Sequence, residues 1–197
     1  MKESPSPITY AGYLQLNKIL SSQKRKSEEF EAPAHDEMLF IVVHQTYELW
    51  FKQILHELDS VMEMFKADYV NEKNMGIAVS RLHRIVEIQK ILIDQIRVLE
   101  TMTPLDFLDF RNYLTPASGF QSFQFRCMEI KLGLKTPERV KYSQQAYHNL
   151  FAENEQEQLL KMEAESTLFD LVENWLERTP FLELNEFRFL QAYQEAV

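Results

Sequence analysis

Two long stretches set what this chain can fold into. Asp36 to about Phe65 and Asn71 to Glu100 both carry apolar residues at helical spacing. In the second stretch, Met75, Val79, Leu82, Val86, Ile93, Ile96 and Leu99 recur at steps of three, four or seven and are expected to form one core stripe. In the first, Asp36 can cap the helix and Glu37 lies in its favourable first turn. Its middle, Leu39-Phe40-Ile41-Val42-Val43, is apolar on every side, which predicts burial by several neighbours. Only four glycines occur, and alternating β-branched runs are absent. An all-α helical bundle built on two long antiparallel helices follows.

The shorter elements are punctuated by clear signals. Tyr10 to Leu20 reads as an amphipathic helix and Ser21 to Ala34 as a polar, proline-bearing loop. Thr103-Pro104-Leu105-Asp106 is a helix start, with a capping hydroxyl, proline at the first helical position and an acid in the first turn. Thr115-Pro116 stops that helix, because proline disfavours α geometry in the residue before it. Ser118 and Gln121 are spaced as a capping box for a helix from Phe120 to about Leu132, and Gly133 stands where a left-handed cap belongs. Leu168, Leu171, Val172, Trp175 and Leu176 predict a buried stripe that ends at Thr179-Pro180. A last helix is expected from Asn185 to Ala196.

A chain of 197 residues with 45% hydrophobic content suits one domain with a real core. The net charge of -9 and the lack of a basic patch argue against nucleic acid as a partner. Gly-rich phosphate loops are absent, which argues against nucleotide-binding α/β folds. Cys127 is the single cysteine, which rules out an intrachain disulfide and a thiolate zinc site. The N-terminal residues lack an apolar export core, and Met38 to Val43 is too short to span a membrane. A soluble, cytoplasmic protein is the expectation.

Two pairs of residues could carry chemistry. Phe40 and His44 lie four apart and share a helix face. His44 sits among apolar residues, where a charged imidazolium is costly, so it is either a ligand-binding neutral ring or a core histidine bonded to a nearby carbonyl. Phe107 and Arg111 repeat the same spacing, with Leu114 one turn further on. A half-buried guanidinium needs an anion. That anion is either a bound carboxylate or an acid of the chain: Asp106, Asp109 or one elsewhere. Three small residues, Ala117-Ser118-Gly119, then follow the helix stop and let a flat ligand approach the backbone. No histidine has Glu three residues earlier, which excludes a di-iron bundle site.

Several of these stretches resemble one family. They are Tyr10-Ala11-Gly12-Tyr13-Leu14; His35 to Gln45 with Glu48-Leu49-Trp50; Leu99 to Phe107; Phe110-Arg111; Pro116-Ala117-Ser118-Gly119-Phe120-Gln121-Ser122; and Trp175 to Pro180. In this order they are similar to tryptophan 2,3-dioxygenases, over nearly the whole chain. The resemblance implies a cytoplasmic, all-helical homotetramer that holds haem b and its iron. It implies insertion of dioxygen across the indole C2–C3 bond of L-tryptophan to give N-formylkynurenine.

The same resemblance assigns roles. His44 would be the catalytic distal histidine, hydrogen-bonded to the indole N–H. Arg111 would bind the substrate carboxylate, and Phe40, Ile41, Val42, Val43, Phe107 and Leu114 would wall the indole pocket. Ser118, Gly119 and Phe120 would lie against the haem. Within a single domain over 1–197, residues 1–34 would reach a neighbouring subunit, so Tyr10, Tyr13 and Leu14 complete its pocket. Residues 35–135 would form the distal haem and substrate side, and 136–197 peripheral helices. The axial iron ligand of the family, a histidine, is expected beyond Val197, and no metal ligand is assigned within the chain. The alternative is a shortened, non-catalytic helical module for oligomerisation or regulation that lacks haem.

Overall fold

The computed structural model describes residues 8–67, 69–70, 72–135 and 150–178. The described residues form helices and no strand. In order they are α1 (Tyr10–Leu14), α2 (Leu16–Ile19), α3 (Lys26–Glu29), α4 (Glu37–Lys66), α5 (Glu72–Leu99), α6 (Pro104–Arg111), α7 (Phe123–Leu132), α8 (Glu153–Glu163) and α9 (Leu168–Arg178). Short 3-10 turns occur at Asn112–Leu114 and Gly119–Gln121. The two long helices therefore stand within a residue or so of the expected bounds. The expected helix at Asn185 to Ala196, and Thr179-Pro180 before it, lie outside the described residues.

The chain groups into two compact units. The first comprises Met1–Tyr47 with Ile91–Ser118, and the second Glu48–Lys90 with Gly119–Val197. In the first, Phe110 is fully buried and Val43, Leu92 and Ala34 join it in the interior. Burying a side chain the size of Phe110 contributes about 2–3 kcal/mol. The hydroxyl of Tyr47 donates to the carbonyl of Leu92 at 2.6 Å, tying α4 to α5.

In the second unit α4 and α5 run antiparallel. Glu57 meets Arg84, and Ser60, further along α4, meets Arg81, further back on α5. Ile54, Leu58 and Val61 are fully buried on α4. A second cluster joins α7 to α8 through Cys127, Ile130, Phe151 and Leu159, with Leu55, Phe123, Leu150 and Met162 packed against it. Arg178 on α9 donates to the carbonyls of Phe65 (2.9 Å) and Ala67 (2.5 Å), which terminates α4.

Several expectations need correction. The α5 stripe is in a different phase: Ala78, Ile85, Ile88 and Leu92 are buried, while Val79, Val86, Ile93 and Ile96 are exposed. Both sets have helical spacing, and periodicity alone does not say which faces the core. The apolar run on α4 is not buried all round, since Val43 is buried but Val42 is exposed. The expected helix at Tyr10 to Leu20 is split, because Gln15 adopts a left-handed conformation (φ 52°, ψ 40°). Residues 25–34 hold a short helix, α3, where a loop was expected. Finally, α7 starts three residues later than its signal: the hydroxyl of Ser122, not Ser118, accepts from the N–H of Phe125 at 3.2 Å.

Other local signals hold. Thr103 and Asp106 form a full capping box with Pro104 in the first turn of α6. Thr115 is extended (ψ 133°) before Pro116, as the proline ring demands. Gly133 closes α7 at φ 95°, where a Cβ would meet Phe169 and Thr167 at 3.2–3.3 Å.

Candidate functional site

The first unit brings together an aromatic cluster, one imidazole and one guanidinium. Four residues apart on α4, the rings of Phe40 and His44 lie 4.1 Å apart. Phe40 also meets Phe107 at 5.6 Å and Phe110 at 5.5 Å, and those two rings cross edge-on at 5.4 Å. The guanidinium of Arg111 stands over the Phe107 ring at 5.9 Å. The sequence pairs Phe40/His44 and Phe107/Arg111 therefore come to one place. Phe110 carries no site role in the sequence reading; it is buried in the middle of the cluster, between α6 and the Phe40 ring of α4.

His44 is half-buried, and its Nδ1 lies 2.7 Å from the carbonyl oxygen of Phe40. A carbonyl can only accept, so Nδ1 carries the proton in the neutral ring and Nε2 keeps its lone pair. The two readings of His44 are thus compatible: one nitrogen is satisfied by the backbone and the other is left as an acceptor.

Arg111 is half-buried and has neither an ion pair nor a side-chain hydrogen bond with the described residues. Neither acid considered for it is its partner. The Asp106 carboxylate accepts from the N–H (2.9 Å) and hydroxyl (2.5 Å) of Thr103. These two bonds, side chain first, hold its carboxyl below the usual range. Leu114 is half-buried in the 3-10 turn just after Arg111.

The remaining named residues are placed as follows. Ile41 is half-buried, Val42 exposed and Val43 buried in the core of its unit. Consecutive helical residues point about 100° apart, so Val42 and Val43 do not share the face of His44. Tyr10 and Tyr13 are 76% and 71% exposed, and Leu14 is exposed, on a helix that buries none of its residues.

Ser118 is half-buried at the end of the first unit. In the second unit, a Cβ placed on Gly119 would meet nothing within 4 Å, so the backbone there faces open space. Phe120 follows, with the guanidinium of Arg126 at 5.9 Å from its ring. Arg126 is buried, pairs with Glu129 at 2.6 Å and also lies 5.7 Å from the Phe125 ring. The open space beside the Gly119 backbone leaves room for a flat group to approach at that one residue. Among the described residues no group of three or more His, Cys, Asp or Glu is arranged to hold a metal ion. That bears on protein-only metal centres, not on a group held by one axial ligand. No helix among the described residues is long and apolar enough to cross a membrane.

Comparison with known proteins gives a consistent answer. The chain is 56% identical over 191 residues to a tryptophan 2,3-dioxygenase of Bdellovibrio bacteriovorus, covering 97% of this chain and 53% of that protein. It is 53% identical over 196 residues to a tryptophan 2,3-dioxygenase of Aedes aegypti, covering 98% and 50%. To tryptophan 2,3-dioxygenase B of Danio rerio it is 55% identical over 189 residues, covering 95% and 46%. The chain spans about half the length of the curated relatives it matches. A family model described as tryptophan 2,3-dioxygenase matches residues 1–197. On that match and those identities, the chain belongs to the tryptophan 2,3-dioxygenase family.

Proposed function

We propose that the complete protein inserts dioxygen across the indole C2–C3 bond of L-tryptophan, giving N-formylkynurenine, the first step of tryptophan catabolism. The observation that carries this reading is Arg111: a half-buried cation over the Phe107 ring, at the edge of a phenylalanine cluster, with no carboxylate partner among the described residues. A guanidinium cannot shed its charge, and an amino-acid carboxylate matches its planar fork with two parallel bonds. Phe40 and Phe107, with Ile41 and Leu114 at the margin, offer the apolar wall an indole requires. His44 Nε2 supplies the one acceptor that an indole N–H needs. Val42 and Val43 lie off the face that carries His44 and are left out of this wall.

Haem b is the cofactor this reading requires, and bound there it would supply the redox chemistry that activates dioxygen. Ser118, Gly119 and Phe120 would lie against it, consistent with the open space at Gly119. The protein residues have complementary tasks. Arg111 orients the substrate through its carboxylate, and His44 fixes the indole edge. The phenylalanine cluster excludes water, so both polar contacts act in a low-dielectric setting. Tyr10, Tyr13 and Leu14 would complete the pocket of a neighbouring subunit in a cytoplasmic homotetramer. An exposed helix carrying two tyrosines and burying nothing in its own chain fits such a role.

The test is direct. The complete haem-loaded protein, given L-tryptophan and dioxygen, forms N-formylkynurenine with one dioxygen consumed per product. Absence of product from a haem-loaded sample that retains its absorption spectrum contradicts the reading.

A further inference from the structure

Residues 25–34 form a small knot between the two chain segments that carry the proposed substrate contacts. The first residue of α4, Glu37, is buried, and its two carboxylate oxygens accept from the backbone N–H groups of Lys26 (2.7 Å) and Ser27 (2.9 Å). The fully buried Ser27 hydroxyl accepts from the N–H of Ala34 at 3.0 Å, and its carbonyl accepts from Ala32 at 3.0 Å. Arg25 donates to the carbonyl of Ala34 at 3.3 Å. The knot is therefore closed on itself and fixed to α4 one turn before Phe40 and two turns before His44.

Its other attachment is to the far wall. Phe30, at the tip of the knot, stacks on Tyr113 with ring centroids 4.6 Å apart and planes 11° apart. Tyr113 lies in the 3-10 turn between Arg111 and Leu114. Phe30 is 59% exposed, so the stack is a surface contact rather than part of the hydrophobic core. Arg111 has no side-chain hydrogen bond to hold its place among the described residues. The end of α6 that carries Arg111 runs directly into the turn that holds Tyr113, and Phe30 stacks on that turn.

We infer that the knot is a positioning device for the substrate carboxylate: Glu37 ties it to the helix bearing His44, and the Phe30–Tyr113 stack ties it to the turn that sets Arg111. Phe30 and Tyr113 are thus positioning residues, acting through Arg111 without touching substrate. The inference rests on the reading of Arg111 as the carboxylate-binding residue.

Binding of L-tryptophan and of tryptamine, the same indole without a carboxylate, to the complete haem-loaded protein separates the possibilities. Phe30→Leu is expected to weaken tryptophan about tenfold and leave tryptamine unchanged, and Phe30→Tyr, which keeps a ring for stacking, restores tryptophan affinity. Tyr113→Leu gives the same pattern and serves if Phe30→Leu misfolds. Equal loss of both ligands, or no loss of either, overturns the inference. Arg111→Ala is the control. If it too fails to separate the two ligands, the carboxylate reading falls and the inference with it. Where Arg111→Ala separates them and Phe30→Leu does not, the inference alone fails.

Discussion

The Nδ1 of His44 is held 2.7 Å from the carbonyl oxygen of Phe40, one turn back on the same helix. This bond selects the tautomer with Nε2 as an acceptor and, with the Phe40 ring packed 4.1 Å away, orients the imidazole. An indole N–H is a suitable donor for that nitrogen. His44→Ala should therefore abolish discrimination between L-tryptophan and its 1-methyl derivative, which lacks the N–H. The loss in tryptophan affinity should be about 1–2 kcal/mol. Undiminished preference for tryptophan in the variant would remove His44 from the indole edge.

Arg111 gives a second, larger effect. Replacing it by Ala leaves a substrate carboxylate in an apolar setting without its forked partner. The expected cost is about 3 kcal/mol, or roughly a hundredfold in KM. Arg111→Lys recovers only part of this, because an ammonium cannot make two parallel bonds. Steady-state kinetics on the complete protein measure it. Equal KM values for the Ala variant and the natural protein would contradict the assignment.

How much of this was legible in the sequence follows from how local each feature is. The Thr103 cap, the stop at Thr115-Pro116 and the left-handed Gly133 depend on a few adjacent residues and stand as read. The pairs Phe40/His44 and Phe107/Arg111 were visible because four-residue spacing places side chains on one helix face. The α5 core face was not, because two apolar stripes coexist there and only the tertiary partner selects between Ala78-Ile85-Ile88-Leu92 and Val79-Val86-Ile93. Glu37 is a similar case. It reads as a first-turn acid, yet it is buried and binds the backbone of Lys26 and Ser27, eleven and ten residues upstream. Nothing in the spacing shows such a contact. Phe30 and Tyr113 escape for the same reason, being 83 positions apart in the chain.

Glu57 connects the long helices in the second unit, and its electrostatics predict a pH dependence. Burial pushes its carboxyl up. The hydrogen bond and charge of Arg84, the hydrogen bond of Gln53 and the charge of Arg81 outweigh that and leave it below the ordinary 4.5. A depressed folded-state value means that this stabilisation is fully present above the unfolded value. It is lost as pH falls through the folded one. Glu57→Gln should cost about 1–2 kcal/mol near pH 7, and its stability should fall less steeply than that of the natural protein below pH 4.5. Denaturant unfolding at several pH values checks this, and parallel curves for the two proteins would contradict it.

Cys127 is buried in the α7–α8 cluster, and burial is the main cause that raises its thiol to about 11. Almost no thiolate exists near neutral pH, and access is blocked. The folded protein should resist thiol-specific reagents at pH 8 and react fully once unfolded. Rapid stoichiometric labelling of Cys127 in the native state would show that the α7–α8 cluster opens.

The most direct measurement is the structure of the complete haem-loaded protein with L-tryptophan bound. The carboxylate should lie within hydrogen-bond distance of both terminal nitrogens of Arg111, the indole between Phe40 and Phe107, and the indole N–H on His44 Nε2. A substrate whose carboxylate is held by any other residue, with Arg111 left facing solvent, would contradict the account.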